Sequence, residues 1–273
     1  MTQARFLVRS ILVALVLVVV QAVAHGLIPG PAPAEAGASL LPYVLLSNWL
    51  VALVLVRLAE RSPAAGVPLL GLLLAVAFGI PALYLLETVI FDIGIPQGQL
   101  PRLYLQAFVT GVAGAALAAT AVGKLKRGVP GEAHDLRAVP LRPGRVALSA
   151  LAYVFVYFAA GIMAWPFLRP YYEGRPMPAG STVLALQVVR GVLLSLLVWL
   201  VARHEARGLR PAAVTVGLCL SVVGGIAPLL IPGNPYLPDA ARHAHLVEVG
   251  ISNFLFGVVA TFIVGRGARP SIP

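Results

Sequence analysis

The chain has 273 residues, 59% of them hydrophobic and 11% charged, with a net charge of +10 at neutral pH. A mean hydropathy of +0.92 excludes a soluble domain, which would have nowhere to put so much apolar surface. The basic balance is a topology signal and not a nucleic-acid footprint, because the positive charges are confined to particular loops and to the termini.

Apolar runs long enough to cross a bilayer recur from end to end. They predict eight spans, at roughly 7–26, 40–57, 67–91, 103–123, 146–168, 180–202, 211–231 and 243–265. The expected fold is an all-α integral membrane bundle of eight helices. The first span follows Arg5 and Arg9 and ends near Ala22-Val23-Ala24, which resembles a signal-peptide cleavage site. Its length and the even helix count favour a retained helix over a cleaved one. His25 sits at its far end, where it faces headgroups or joins a polar cluster. The second span contains Asn48 and the third contains Glu87, with Tyr84 and Phe91 on neighbouring turns. In the fourth, Gln106 precedes the small-residue run Gly111-Val112-Ala113-Gly114-Ala115-Ala116, which suits close helix packing.

The longest polar segment, 124–145, contains Gly128, Pro130, Gly131, Pro140 and Pro143 and reads as an irregular cytoplasmic linker. It divides the chain into a first half, 1–123, and a second half, 146–273, of four spans each. In the sixth span Gln187 and Arg190 lie three residues apart and share one face. The seventh holds Cys219, the single cysteine, which rules out an intrachain disulfide or a Cys-based metal site. The eighth opens at Asp239, a candidate helix cap, and places His245, Glu248 and Ser252 on one stripe with Asn253 at its margin. His243 points the other way, toward headgroups. Tyr104, Trp165, Tyr171 and Tyr172 suit an aromatic belt.

The termini and alternate loops on one side carry fifteen Lys and Arg residues, against four on the other: Arg102, Arg169, Arg175 and Arg242. The positive-inside rule then places both termini in the cytoplasm and the protein in the cell (inner) membrane. Loops on the opposite side are stiffened by Pro and Gly, as in Pro176-Met177-Pro178 and Ile231-Pro232-Gly233-Asn234-Pro235, which suits a structured mouth. Ile28-Pro29-Gly30 before Ser47-Asn48-Trp49 echoes Ile231-Pro232-Gly233 before Ser252-Asn253-Phe254. This would relate spans one and two to spans seven and eight, as a repeat or as chance similarity in an apolar chain.

Glu87, Arg190 and Glu248 are the ionisable residues that remain inside the spans, each at an insertion cost of about 2.5–3.5 kcal/mol near a helix centre. If they meet, two carboxylates and one guanidinium leave a negative charge over. Protonation of a carboxylate, protonation of His245 or a bound cation would remove it. The candidate site is therefore Glu87, Gln187, Arg190, His245 and Glu248, with a proton or a divalent cation as cofactor and His245 and Glu248 as the metal-ligand candidates. Asn48, Ser252 and Asn253 are expected to make polar contacts between helices. No nucleotide-binding Gly-x-x-x-x-Gly-Lys, His-Glu-x-x-His or Gly-x-Ser-x-Gly pattern occurs.

Three functions fit these residues. The first is a small transporter or permease coupled to a proton or cation through the polar cluster. The second is an intramembrane enzyme using His/Glu acid–base or metal chemistry on a lipid or lipid-linked substrate. The third is a non-catalytic subunit whose polar faces meet a second copy of the chain or a membrane partner. All three share the lipid bilayer as a partner and none involves nucleic acid.

Overall fold

A computed structural model describes residues 2–28, 40–91, 95, 97–126, 139–205, 207–233 and 237–266. Among them are eight helices long and apolar enough to cross a membrane. These are α1 (Gln3–Leu27), α2 (Leu41–Arg61), α3 (Val67–Ile90), α4 (Leu100–Ala121), α5 (Pro143–Tyr172), α6 (Gly180–Arg203), α7 (Leu209–Leu229) and α8 (Asp239–Gly265). The described residues contain no strand. Large apolar side chains such as Leu12, Val19, Phe155, Ile162, Met163 and Phe167 stand exposed on the outside, as a lipid-facing surface requires. The architecture is that of a multi-pass membrane protein.

Several helices outrun the apolar stretches that predict them. α5 begins at Pro143 and ends at Tyr172, and α8 begins at Asp239. Hydropathy marks the part of a helix that faces lipid, whereas the backbone hydrogen-bond ladder continues into the polar flanks. Pro143 is tolerated because the first turn has no partner for its missing N–H. Asp239 does not cap α8. Pro238 occupies the capping position, and the Asp239 carboxylate instead accepts a 2.9 Å bond from Arg242 Nε. Arg242 is itself buried and donates at 2.7 Å to the carbonyl of Leu229, closing the end of α7.

One end of the bundle gathers the basic termini and turns. The described start of the linker after α4 has no regular structure, and it is anchored there. Lys124 Nζ donates to the carbonyls of Ala59, Glu60 and Ser62 at 3.0, 3.2 and 2.5 Å, satisfying the free end of α2. Burial pushes this ammonium below the usual lysine range. Glu205, fully buried beyond the end of α6, accepts from Arg61 at 3.3 Å and from Thr215 Oγ1 at 2.9 Å, and so pins α2, α7 and the turn together. Most of the linker, including Glu132, His134 and Asp135, lies outside the described residues, as do Pro29, Gly30 and Pro31.

The two halves pack by the same scheme. In each, the first helix contacts the second and fourth, the fourth contacts the second and third, and the second contacts the third. Between halves, α2 meets α7, α3 meets α6, and α3 meets α7. This pattern matches α1–α4 to α5–α8 helix by helix. It does not single out the α1–α2 and α7–α8 hairpins that the Ile-Pro-Gly echo pairs. In each half a buried serine of the first helix meets the second: Ser10 Oγ accepts from Trp49 Nε1 at 3.2 Å, and Ser149 accepts from Ser195 at 2.8 Å.

The third helix of each half departs from α geometry. α3 carries a π segment at Ala75–Gly79 and α7 one at Cys219–Ile226, each followed two residues later by a proline, Pro81 and Pro228. The two irregular segments touch at the centre of the bundle. Gly224 makes the approach possible, because a methyl group there would overlap the Tyr84 ring of α3. Ser47 Oγ reaches from α2 to the Ala227 carbonyl at 2.7 Å.

Candidate functional site

A cavity of about 360 Å³ lies between α3, α5, α6 and α8 and reaches the end of the bundle opposite the basic turns. Its wall includes Glu87, Arg190, His245 and Glu248. Below it, toward the basic end, the space is filled by buried apolar side chains such as Leu194, Val198, Leu220 and Ala260. The three intramembrane charges therefore share one chamber that is packed shut on its basic side.

They do not form a single clasp. Arg190, 1% exposed, donates to the carboxylate of Glu87, which is 29% exposed toward the cavity. Gln187 bridges them: its Nε2 donates to Glu87 at 3.1 Å, and its Oε1 accepts from Arg190 at 3.1 Å and from the Tyr153 hydroxyl at 3.2 Å. The Tyr157 hydroxyl is also within hydrogen-bonding reach of Glu87. The guanidinium lies over the rings of Tyr84 at 4.9 Å and Tyr153 at 5.8 Å. These groups match the Arg190 charge completely.

Glu248 belongs to a separate pair. One helical turn from His245, its Oε2 sits 2.9 Å from Nδ1, but out of line for a hydrogen bond. Both atoms are buried without a hydrogen-bond partner, as are the Tyr84 hydroxyl, Arg190 Nε and Asn253 Nδ2. Among the described residues seven buried side-chain polar atoms are left in this way, and five of them belong to residues of this wall. Buried polar groups are almost always satisfied, so this wall holds most of the buried side-chain hydrogen-bonding capacity that the described part of the chain leaves unused.

The remaining expected residues divide between roles. Ser252 and Asn253 line the cavity, and the Asn253 amide nitrogen makes no bond to another helix. Asn48 does join two helices, donating at 2.8 Å to Gln21 of α1. Trp165 stacks on Tyr172 at the cavity rim, with ring centroids 6.1 Å apart, so these two are part of the wall as well as belt residues. For a divalent ion the wall offers two donors, His245 and Glu248. No group of three His, Cys, Asp or Glu side chains converges among the described residues, so the metal expectation gains no third ligand.

A second cavity, of about 560 Å³, lies between α1, α2, α3, α4 and α7. Its polar lining among the described residues is Gln21, His25, Ser47, Asn48, Tyr84, Gln106 and Thr110, with no Asp, Glu, Lys or Arg among them. His25 Nδ1 meets the Gln21 carbonyl at 2.8 Å, and Gln106 donates to the Ile28 carbonyl at 2.7 Å. Tyr84 borders both chambers.

No family model, no curated protein and no solved structure matches the chain. Function must be argued from the cavity itself.

Sequence reasoning missed two features. Tyr153 and Tyr157, four apart in an otherwise apolar span, were a readable signal for a polar helix face. The Glu205 network had none, because a Glu among arginines beyond an apolar run reads as solvated turn.

Proposed function

We propose that the protein is a small permease of the cell membrane, with both termini in the cytoplasm, which takes its substrate into the charged cavity from the opposite side. The observation that supports this most is the placement of that cavity, where α3 of the first half meets α5, α6 and α8 of the second, beside side-chain polar atoms without a hydrogen-bond partner. Transporters built from repeats hold their substrate at such a seam, beside helices that break regular geometry. Here the seam is α3 and α7 with their touching π segments, and α3 supplies Tyr84 and Glu87 to the wall. Rocking of one half on the other about this contact would part the apolar packing at the basic end and close the mouth.

The coupling group in this reading is the His245–Glu248 pair. Glu248 has no guanidinium beside it, and this reading gives it a proton or a cation as its partner. The charged and titratable groups that share the chamber are Glu87, Arg190, Tyr84, Tyr153, Tyr157 and Tyr172. A single opening also favours an intramembrane enzyme acting on a lipid or lipid-linked substrate, with His245 and Glu248 as acid and base.

Proteoliposomes carrying an internal pH dye separate the two. Under an imposed pH gradient, a panel of small amines, carboxylates and neutral amphiphiles is added outside. The permease is expected to dissipate the gradient with one class of compound, and Glu248→Gln is expected to abolish this. Dissipation that survives the substitution rejects the coupling role. Chemical conversion of a lipid in the same vesicles, without flux, favours the enzyme.

A further inference from the structure

Building on the permease reading, we propose that the charged cavity selects a small organic cation, an amine or quaternary ammonium, held against the Glu248 carboxylate. Charge is the first argument. Arg190 is matched by Glu87, so Glu248 is the carboxylate of this wall that has no guanidinium beside it. An anionic substrate would add a second uncompensated negative charge, and a cation removes the first. Two converging donors are too few for a divalent ion and sufficient for a monovalent ammonium.

The second argument is the aromatic wall. Phe158, Trp165, Tyr172 and Phe256 line the same space as Glu248. Aromatic faces together with a carboxylate are the chemistry that recognises ammonium groups in low-dielectric surroundings. The chamber already holds one organic cation in this manner, the Arg190 guanidinium over Tyr84 and Tyr153. At about 360 Å³ it falls at the small end of ligand cavities, which limits the occupant to one ring or a few alkyl arms. Among the described residues the wall of the second cavity holds no acidic side chain, and that cavity is expected to reject the same ligand.

The test uses full-length purified protein in detergent, titrated calorimetrically with benzyltrimethylammonium and, separately, with benzenesulfonate. The ammonium is expected to bind, and the sulfonate to bind at least ~10-fold more weakly. Glu248→Gln is expected to weaken the ammonium at least ~10-fold, while Asn48→Leu in the other cavity leaves its affinity unchanged. If Glu248→Gln does not fold, Trp165→Leu and Phe158→Leu serve instead. Loss of affinity in either supports the site, and indifference in both overturns it. Tighter binding of the sulfonate, or ammonium binding unaltered by Glu248→Gln, also overturns it. Gradient-driven flux of a non-cationic compound with no ammonium binding removes this inference and leaves the permease. Ammonium binding lost in Glu248→Gln, but with no flux in vesicles, keeps the site and removes the permease.

Discussion

Arg190 on α6 donates to the carboxylate of Glu87 on α3, so an ion pair in the wall of the charged cavity also ties the two four-helix halves together. The pair is unequal, with Arg190 enclosed and Glu87 partly open to the chamber. Glu87→Gln is expected to lower stability by about 3–5 kcal/mol, because it strands a guanidinium that cannot deprotonate. Arg190→Met should cost less, since Glu87 can still reach water. The double variant should recover much of the loss. Thermal unfolding in detergent of all four proteins checks the cycle, and strict additivity of the two single effects would show that the residues do not act as a pair.

Glu205 makes a second such prediction at the basic end. Glu205→Leu removes the acceptor of Arg61 and Thr215 together and is expected to cost about 3–5 kcal/mol. Thr215→Val removes one bond to each neighbour and should cost about 1–2 kcal/mol. Both are read from the same melting experiment, and Lys124→Met, which frees three carbonyls of α2, belongs beside them.

The contact of the π segments depends on Gly224. Gly224→Ala places a methyl in the Tyr84 ring and is expected to cost about 1–3 kcal/mol as overpacking. Tyr84→Leu, tolerated poorly alone, should be tolerated better in that background. A Gly224→Ala protein as stable as wild type would mean that the ring has free space to move into.

His204 gives a pH dependence. It is buried just beyond α6, and desolvation holds its imidazole below the usual histidine range despite a 2.8 Å contact to the Leu200 carbonyl. The unfolded chain therefore binds more protons than the folded one between the lowered value and about 6.5. Stability from this group is complete above that range and is lost as pH falls through it. Melting temperatures should rise with pH below neutrality, and His204→Gln should flatten that part of the curve.

Sidedness is tested by labelling. Cys219 is buried, so Cys219→Ser gives a silent background. Cysteine placed at Lys126 should be protected from an impermeant maleimide added to whole cells, and cysteine placed at Met177 should react. The reverse pattern would invert the proposed topology and place the cavity mouth on the cytoplasmic side.

The candidate residues were legible to different degrees. Glu87, Arg190 and Glu248 stood out because charge is rare in apolar spans, and helical phase joined His245 to Glu248 and Gln187 to Arg190. Phase operates within one helix only. That Arg190 takes Glu87, and that Glu248 stays with His245, depends on how α3, α6 and α8 are rotated against each other, and no periodicity encodes this. The Gly79-Ile80 and Gly225-Ile226 pairs at the ends of the two π segments are readable in the chain. Their correspondence acquires meaning only when the two helices are seen to occupy equivalent places.

By itself the sequence determined eight helices long and apolar enough to cross a membrane and the uneven charge of the loops between them, because length, hydropathy and loop charge are read from the chain alone. The tertiary structure decided which polar groups meet, which remain unpartnered, and that they enclose one charged chamber and one neutral one. Lipid is uniform along a helix face and cannot specify a partner. Side-chain packing between helices does so, through small residues such as Gly224 and through the few polar groups that must be matched.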